Sequence, residues 1–201
     1  MCRLPANGAR LAVGAPKNDG NGNLAGHVRV FEFDGAFWNQ LGADIDGDAA
    51  GDESGFSVEL SADGSRLAVG AYGNAGGGTY SGQARVFEYT GAAWTQLGAS
   101  IGGRAFLDLA GAVALSADGG RLAVGERGHD GNGNDSGDTR VFEYDGAAWT
   151  QLGSDIDGEA AGDESGGSVA LSADGGRLAV GAHRNDGTGA DSGHARVYDV
   201  C

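Results

Sequence analysis

The chain has 201 residues, with 13 Lys plus Arg against 28 Asp plus Glu, a formal net charge of −15. Such a surface repels phosphate backbones and anionic lipid heads, so nucleic acid is not an expected partner. Glycine supplies 41 residues and proline two, without a Gly-x-y period, which excludes collagen. No stretch approaches the ~20 apolar residues of a transmembrane helix, and the opening MCRLPANGARLAVG lacks the apolar core of a signal peptide. No membrane insertion is therefore expected within this chain. Two cysteines, Cys2 and Cys201, stand at its ends. They read either as a ring-closing disulfide or as two unrelated thiols.

Internal repetition organises everything between them. RLAVG occurs at Arg10–Gly14, Arg66–Gly70, Arg121–Gly125 and Arg177–Gly181, at spacings of 56, 55 and 56. Each unit reads as four short strands, a to d. Strand a is SVEL (Ser57–Leu60) or SVAL (Ser168–Leu171), degraded in the first copy to MCRL. Strand b is RLAVGA. Strand c is ARVFEY (Ala84–Tyr89) and its copies, whose RVFE or RVYD begins at Arg29, Arg85, Arg140 and Arg196. Strand d is WTQL (Trp94–Leu97), and Trp38, Trp94 and Trp149 open its three copies. Valine, leucine and aromatic residues suit a pleated, half-buried surface. No segment carries an apolar period of 3.6, so almost no helix is expected. The repeats divide as 1–55, 56–111, 112–166 and 167–201, the last without strand d, for 15 strands in all.

Turn chemistry links the strands. Asp63-Gly64, Asp118-Gly119, Asp174-Gly175 and, in the first copy, Asn7-Gly8 lie between a and b. Asp34-Gly35, Thr90-Gly91 and Asp145-Gly146 lie between c and d. Both predict tight type I′ hairpins. The b–c and d–a connections are long and rich in Gly and Asp. A repeated four-stranded antiparallel unit is a propeller blade or close to it, so the expected class is all-β, a propeller-like array that need not be a complete ring. Val86 and Phe87 point opposite ways, as a sheet sandwiched between neighbouring sheets requires. The long loops then share one face, the better place for a ligand.

The most distinctive loop is DIDGDAAGDESG (Asp44–Gly55), repeated as DIDGEAAGDESG (Asp155–Gly166). Carboxylates at alternate positions make Asp44, Asp46, Asp48 and Asp155, Asp157, Glu159 the candidate metal ligands, with calcium the one cofactor suggested. The third copy is SIGGRAFLDLAG (Ser100–Gly111), where Arg104 replaces Asp48. Either two loops hold calcium and one does not, or the acidity serves solubility. The b–c loops NDGNGN (Asn18–Asn23) and HDGNGND (His129–Asp135) begin like EF-hands but have Leu24 or Asp135 where the loop needs glycine, and no Glu at position twelve. His27 and His194 share a repeat position with Gln83 and Asp138, which reads as a solvated site. Arg66, Arg121 and Arg177, with Arg85, Arg140 and Arg196, are expected to pair with turn Asp or with Glu88 and Glu143. No catalytic constellation is evident.

With these residues in view, Ser54–Tyr89 resembles the FG-GAP repeat, the β-propeller unit of integrin α chains and many surface proteins. Gly55-Phe56, Ser57-Val58, Val69-Gly70-Ala71 and Val86-Phe87 follow its pattern. The resemblance implies a non-enzymatic binding or adhesion module, extracellular or at the cell surface, with a protein or glycan ligand. The family's Asp-rich calcium hairpin is absent, because each a–b turn holds one carboxylate, Asp63, Asp118 or Asp174. ALSADGGRLAVG with ARVYDV is also similar to WD40 repeats, which would imply a protein-interaction scaffold. A glycan-active propeller enzyme is the remaining alternative.

Overall fold

The computed structural model describes residues 1–5 and 8–200. Asn7 of the first expected hairpin and Cys201 of the terminal pair lie outside the described residues. Cys2 is exposed.

Among the described residues the chain forms strands and turns, with no helix. The first sheet holds β1 (Cys2–Arg3), β2 (Arg10–Ala15), β3 (His27–Phe33), β4 (Trp38–Gln40) and β5 (Ile45–Asp46). The second holds β6 (Ser57–Leu60), β7 (Arg66–Ala71), β8 (Gln83–Tyr89), β9 (Trp94–Gln96) and β10 (Ile101–Gly102). The third holds β11 (Ala110–Leu115), β12 (Arg121–Glu126), β13 (Asp138–Tyr144), β14 (Trp149–Gln151) and β15 (Ile156–Asp157). The fourth holds β16 (Ser165–Leu171), β17 (Arg177–Ala182) and β18 (His194–Asp199). The first four strands of each five-stranded sheet, and the three of the fourth sheet, pair in chain order, and every ladder is antiparallel. Each repeat is thus an up-and-down blade.

Three strands were not legible in the sequence. Ile45 pairs with Val28 and Asp46 with His27, and β10 and β15 repeat this on β8 and β13. The outer strand is split: d pairs the end of strand c, the chain turns through Gly42 at φ 79°, and a two-residue strand pairs the start of c. The acidic stretch therefore begins as a strand, not as a loop. Two residues carry too little alternation to announce themselves.

The turns also differ from type I′. In the a–b hairpin only Gly64 has positive φ, at 70°, and its N–H donates to Ser61. That is a type I turn followed by a left-handed glycine. In the c–d hairpin only the first central residue, Gly35, has positive φ, the pattern of type II′. Asp34 Oδ1 accepts the N–H groups of Ala36 and Phe37, both at 2.8 Å, and so fixes the turn.

The core consists of seams between sheets. Val28, Val30 and Ile45 of the first sheet meet Val58, Leu67 and Phe87 of the second. Val86 and Ile101 pass to the next seam, with Leu122, Val124 and Phe142. Ala114, Ala123 and Val141 meet Leu178 and Val180. Val86 and Phe87 thus serve opposite seams, as the sequence predicted. Small residues set the inner spacing: a Cβ on Gly70 would collide with the carbonyl of Gly111 in the next sheet.

Candidate functional site

The long connections gather on one face and are knitted by backbone hydrogen bonds. In the first blade Gly47, Gly51, Glu53 and Ser54 donate to Gly26, Asn23, Leu24 and Ala25 at 2.9–3.0 Å. Gly73 N–H then donates to Asp52 at 3.1 Å, tying the next blade's b–c loop to the previous d–a loop. The loop face is therefore held together by the same backbone bonds in each of the first three repeats.

Of the candidate ligands, Asp44 takes a bidentate hydrogen bond from Arg29 Nε and Nη2 at 3.0 and 2.9 Å, which holds its carboxyl below the usual range. Asp44 and Asp46 share a cluster with His27, their candidate ligand atoms within 4.8 Å of one another. Asp48 leaves that cluster. It reaches the second blade, pairing with Arg85 Nη1 at 2.6 Å and accepting from Gln83 Nε2 at 2.8 Å. In the third blade Asp157 joins His129 and Asp138 within 4.8 Å. Asp155 instead pairs with Arg104, which holds it low against the upward push of burial. Glu159 pairs with Arg196 and lies 3.7 Å from His194. The first position of each stretch thus faces an arginine, and the third crosses to the next blade.

Position 48 and its equivalents are an inter-blade ion-pairing site whose polarity inverts once. At the first and third seams the loop supplies the anion, Asp48 or Glu159, and strand c supplies the cation, Arg85 or Arg196. At the second seam the loop supplies Arg104. Its partners are Asp138 at 2.6 Å and Glu126 at 3.4 Å, standing where the second blade has Gln83 and Ala71. Arg140 pairs with Glu126 as well and donates to the carbonyl of Gly102 at 2.7 Å. The position shared by His27, Gln83 and Asp138 is therefore not solvated: these residues are 6%, 7% and 0% exposed. Its changes of residue type follow the ion on the preceding blade. Arg66 and Arg121 pair with Glu88 and Glu143 at 3.0 and 3.2 Å, as expected. Arg85 and Arg196 take inter-blade carboxylates instead of turn or strand partners, whereas Arg140 pairs with a strand carboxylate of its own blade, Glu126 on β12.

The second seam is the most charged interior of the molecule. Burial, with Glu126 alongside, pushes the Asp138 carboxyl up to about 7. Burial raises Glu126 as well. Asp138 Oδ1 is buried without a hydrogen-bond partner. Sequence reasoning missed His129, Asp138 and Glu126 because no local motif unites them. The available signal was covariation between repeats: Arg104 appears where Asp138 and Glu126 do.

A second feature of the face lies in the repeat that lost the acidic stretch. Phe106 is 65% and Tyr80 43% exposed, and Leu107 is exposed beside them. Leu107 N–H donates to Thr79, and Leu109 N–H to Tyr80, both at 3.1 Å, so the two loops carry one apolar patch.

Comparison with known proteins bears on this architecture. Residues 154–198 match the FG-GAP repeat. The FG-GAP match runs from the third blade's acidic stretch into β18. No curated protein matches the chain. Among solved structures, a candidate 6-phosphogluconolactonase from Bacteroides uniformis aligns with a TM-score of 0.61 at 14% identity, over 98% of this chain and 49% of its own. Kuenenia stuttgartiensis hydrazine synthase aligns with a TM-score of 0.60 at 15% identity, over 100% and 58%. TolB from Acinetobacter baumannii aligns with a TM-score of 0.58 at 13% identity, over 98% and 40%. The chain is thus a β-propeller-like array that spans about half the length of these structures. At such identities the likeness is one of fold.

Proposed function

We propose that this FG-GAP-bearing array is a non-enzymatic binding module whose long-loop face docks a protein ligand, in an extracellular or cell-surface setting. The patch of Phe106, Leu107 and Tyr80 carries this reading. Exposed aromatic side chains on a loop face held by backbone hydrogen bonds are the anatomy of a protein-binding hot spot. Partners of basic rim charge are favoured, since the chain carries −15. Weak calcium binding at Asp44 and Asp46, which cluster with His27, belongs to the same reading as a means of ordering the acidic loops.

The test immobilises the full chain and probes it with panels of secreted proteins and of glycans, beside the F106S and Y80S variants. A protein bound by the wild type and lost in both variants supports the proposal. A glycan lost in the same way replaces protein with glycan as the ligand. Turnover of sugar lactones, glycosides or peptides by the purified chain overturns the non-enzymatic reading. Calcium drops out if millimolar concentrations leave Tm unchanged and calorimetry records no heat.

A further inference from the structure

The second seam holds more negative charge than its arginines balance. Glu126, Asp138 and Asp155 pair there with Arg104 and Arg140, and Asp108 and Asp157 lie in the clusters that His129 forms with Glu126 and with Asp138. A candidate ligand atom from each of His129, Asp138 and Asp157 lies within 4.8 Å of the other two. Different elements supply the three. Asp138 opens β13, Asp157 stands opposite it in the ladder on β15, and His129 comes from the b–c loop that closes over both. Gly131 in that loop lies so near that a Cβ would sit 2.7 Å from Asp157 Oδ1 and 3.3 Å from His129 Cδ2. The backbone is wrapped against the cluster with no room for a side chain between.

Asp138 supplies an independent observation. Its Oδ2 accepts from Arg104 at 2.6 Å, while its Oδ1 is buried and meets no donor. An anionic oxygen left bare in the interior is costly unless a cation or a proton joins it. The histidine is also prepared. His129 Nδ1 lies 3.3 Å from Asp108 Oδ1, and Asp108 is itself 2% exposed. A carboxylate on Nδ1 fixes the tautomer and leaves Nε2 as the free lone pair, the arrangement seen behind metal-ligating histidines.

We infer that His129 Nε2, Asp138 Oδ1 and Asp157 form a binding site for a divalent transition-metal cation of the zinc class. One imidazole and two carboxylates suit such an ion, whereas calcium asks for six to eight oxygens and no nitrogen. Arg104 would stay on Asp138 Oδ2, orienting the carboxylate from behind. The cation offsets the surplus of carboxylates and pins the b–c loop to the outer strand. Three protein ligands would leave a fourth coordination position for water or a further ligand. The site differs from the carboxylate triads of the acidic stretches, taking one residue from the second of them and its other two from strand c and the b–c loop.

Cobalt(II) tests this through its visible absorption in a low-symmetry nitrogen-oxygen site. The chelator-treated full chain is titrated with Co²⁺, then with Zn²⁺. The expected result is a single spectroscopic site that Zn²⁺ displaces and millimolar Ca²⁺ does not. H129Q and D157N should each weaken binding more than tenfold. Asp157 is exposed, so D157N should keep the wild-type melting curve in the absence of metal. D108N should weaken binding by about 10–100-fold through the histidine. Co²⁺ binding unchanged in both H129Q and D157N overturns the site, as does a flat titration or displacement by Ca²⁺. Binding lost only in an H183Q/H194Q variant moves the metal to the fourth sheet and overturns it too.

Discussion

The indole N–H of Trp94 donates to the carbonyl of Leu41, 53 residues earlier, at 2.9 Å. Trp149 repeats the contact with Leu97 at 2.8 Å. Each tryptophan opens strand d of its own blade and closes the seam to the blade before. Trp38 has no such seam among the described residues and is exposed. One motif residue therefore has two environments. Trp94→Phe keeps the ring and removes the donor, which should cost about 1 kcal/mol. For a chain of this length that lowers Tm by about 2–4 °C. Trp38→Phe should change Tm by less than one degree. Thermal melts of the two variants side by side check the pair.

Arg104 stands where its repeat equivalents are Asp48 and Glu159, so the substitution R104D restores the repeat consensus. It should nevertheless destabilise. The new carboxylate would face Asp138, Glu126 and Asp155. Removing one partner of a largely buried ion network costs about 3–5 kcal/mol. Adding D138Q and E126A to R104D rebuilds the second blade's Gln83 and Ala71 around the first seam's polarity, leaving Arg140 as the cation. Urea unfolding of the single and triple variants should show the triple recovering more than half of the loss. A triple variant no more stable than R104D would mean that the two polarities are not interchangeable.

The a–b turns make acid stability predictable. Asp118 Oδ1 accepts from Ser116 Oγ at 2.6 Å and from Gly120 N–H at 2.9 Å, and these bonds hold its carboxyl below the usual range. Asp174 is lowered by the same two contacts, from Ser172 and Gly176. A carboxyl lowered by folding contributes stability above its unfolded value, and loses it as pH falls through the folded value. Stability should therefore decline on acidification below about pH 4. The D118N/D174N variant should be less stable at pH 7 and show a shallower acid limb. Denaturant melts between pH 2 and 7 check both.

Much of this architecture was legible because the repeat states it four times. Strands a to d, the sandwiching of Val86 and Phe87, and the long-loop face follow from alternation and turn residues that recur in register. The pairs Arg66–Glu88 and Arg121–Glu143 were legible for the same reason, being neighbours across one hairpin-like ladder. What escaped was whatever spans two blades or two residues. The β5, β10 and β15 strands are too short to show a period. The partners of Asp48, Arg104 and Glu159 lie on the next sheet, where sequence distance says nothing about proximity. Asp138 looked like a drifting surface position because its counter-ion, Arg104, is on another repeat. Reading the two changes together would have exposed the inverted ion pair.

The same substitution at two glycines should give opposite results. Gly125 lies on β12 where it passes under the fourth sheet, and a Cβ there would collide with the carbonyl of Gly166. The obstacle is backbone, which cannot rotate aside, so the seam must open. Gly125→Ala should cost about 1–3 kcal/mol. Gly102 lies on β10, at the place held by Asp46 and Asp157 in the other blades, and a Cβ there would meet only Gly82 O at 3.8 Å. That is ordinary contact, in a strand whose backbone an alanine can adopt. Gly102→Ala should stabilise by about 0.4–1 kcal/mol, chiefly by narrowing the unfolded ensemble. Guanidinium unfolding followed by tryptophan fluorescence resolves both changes. Loss of stability at Gly102 would mean that β10 is held by a tighter approach than its geometry shows.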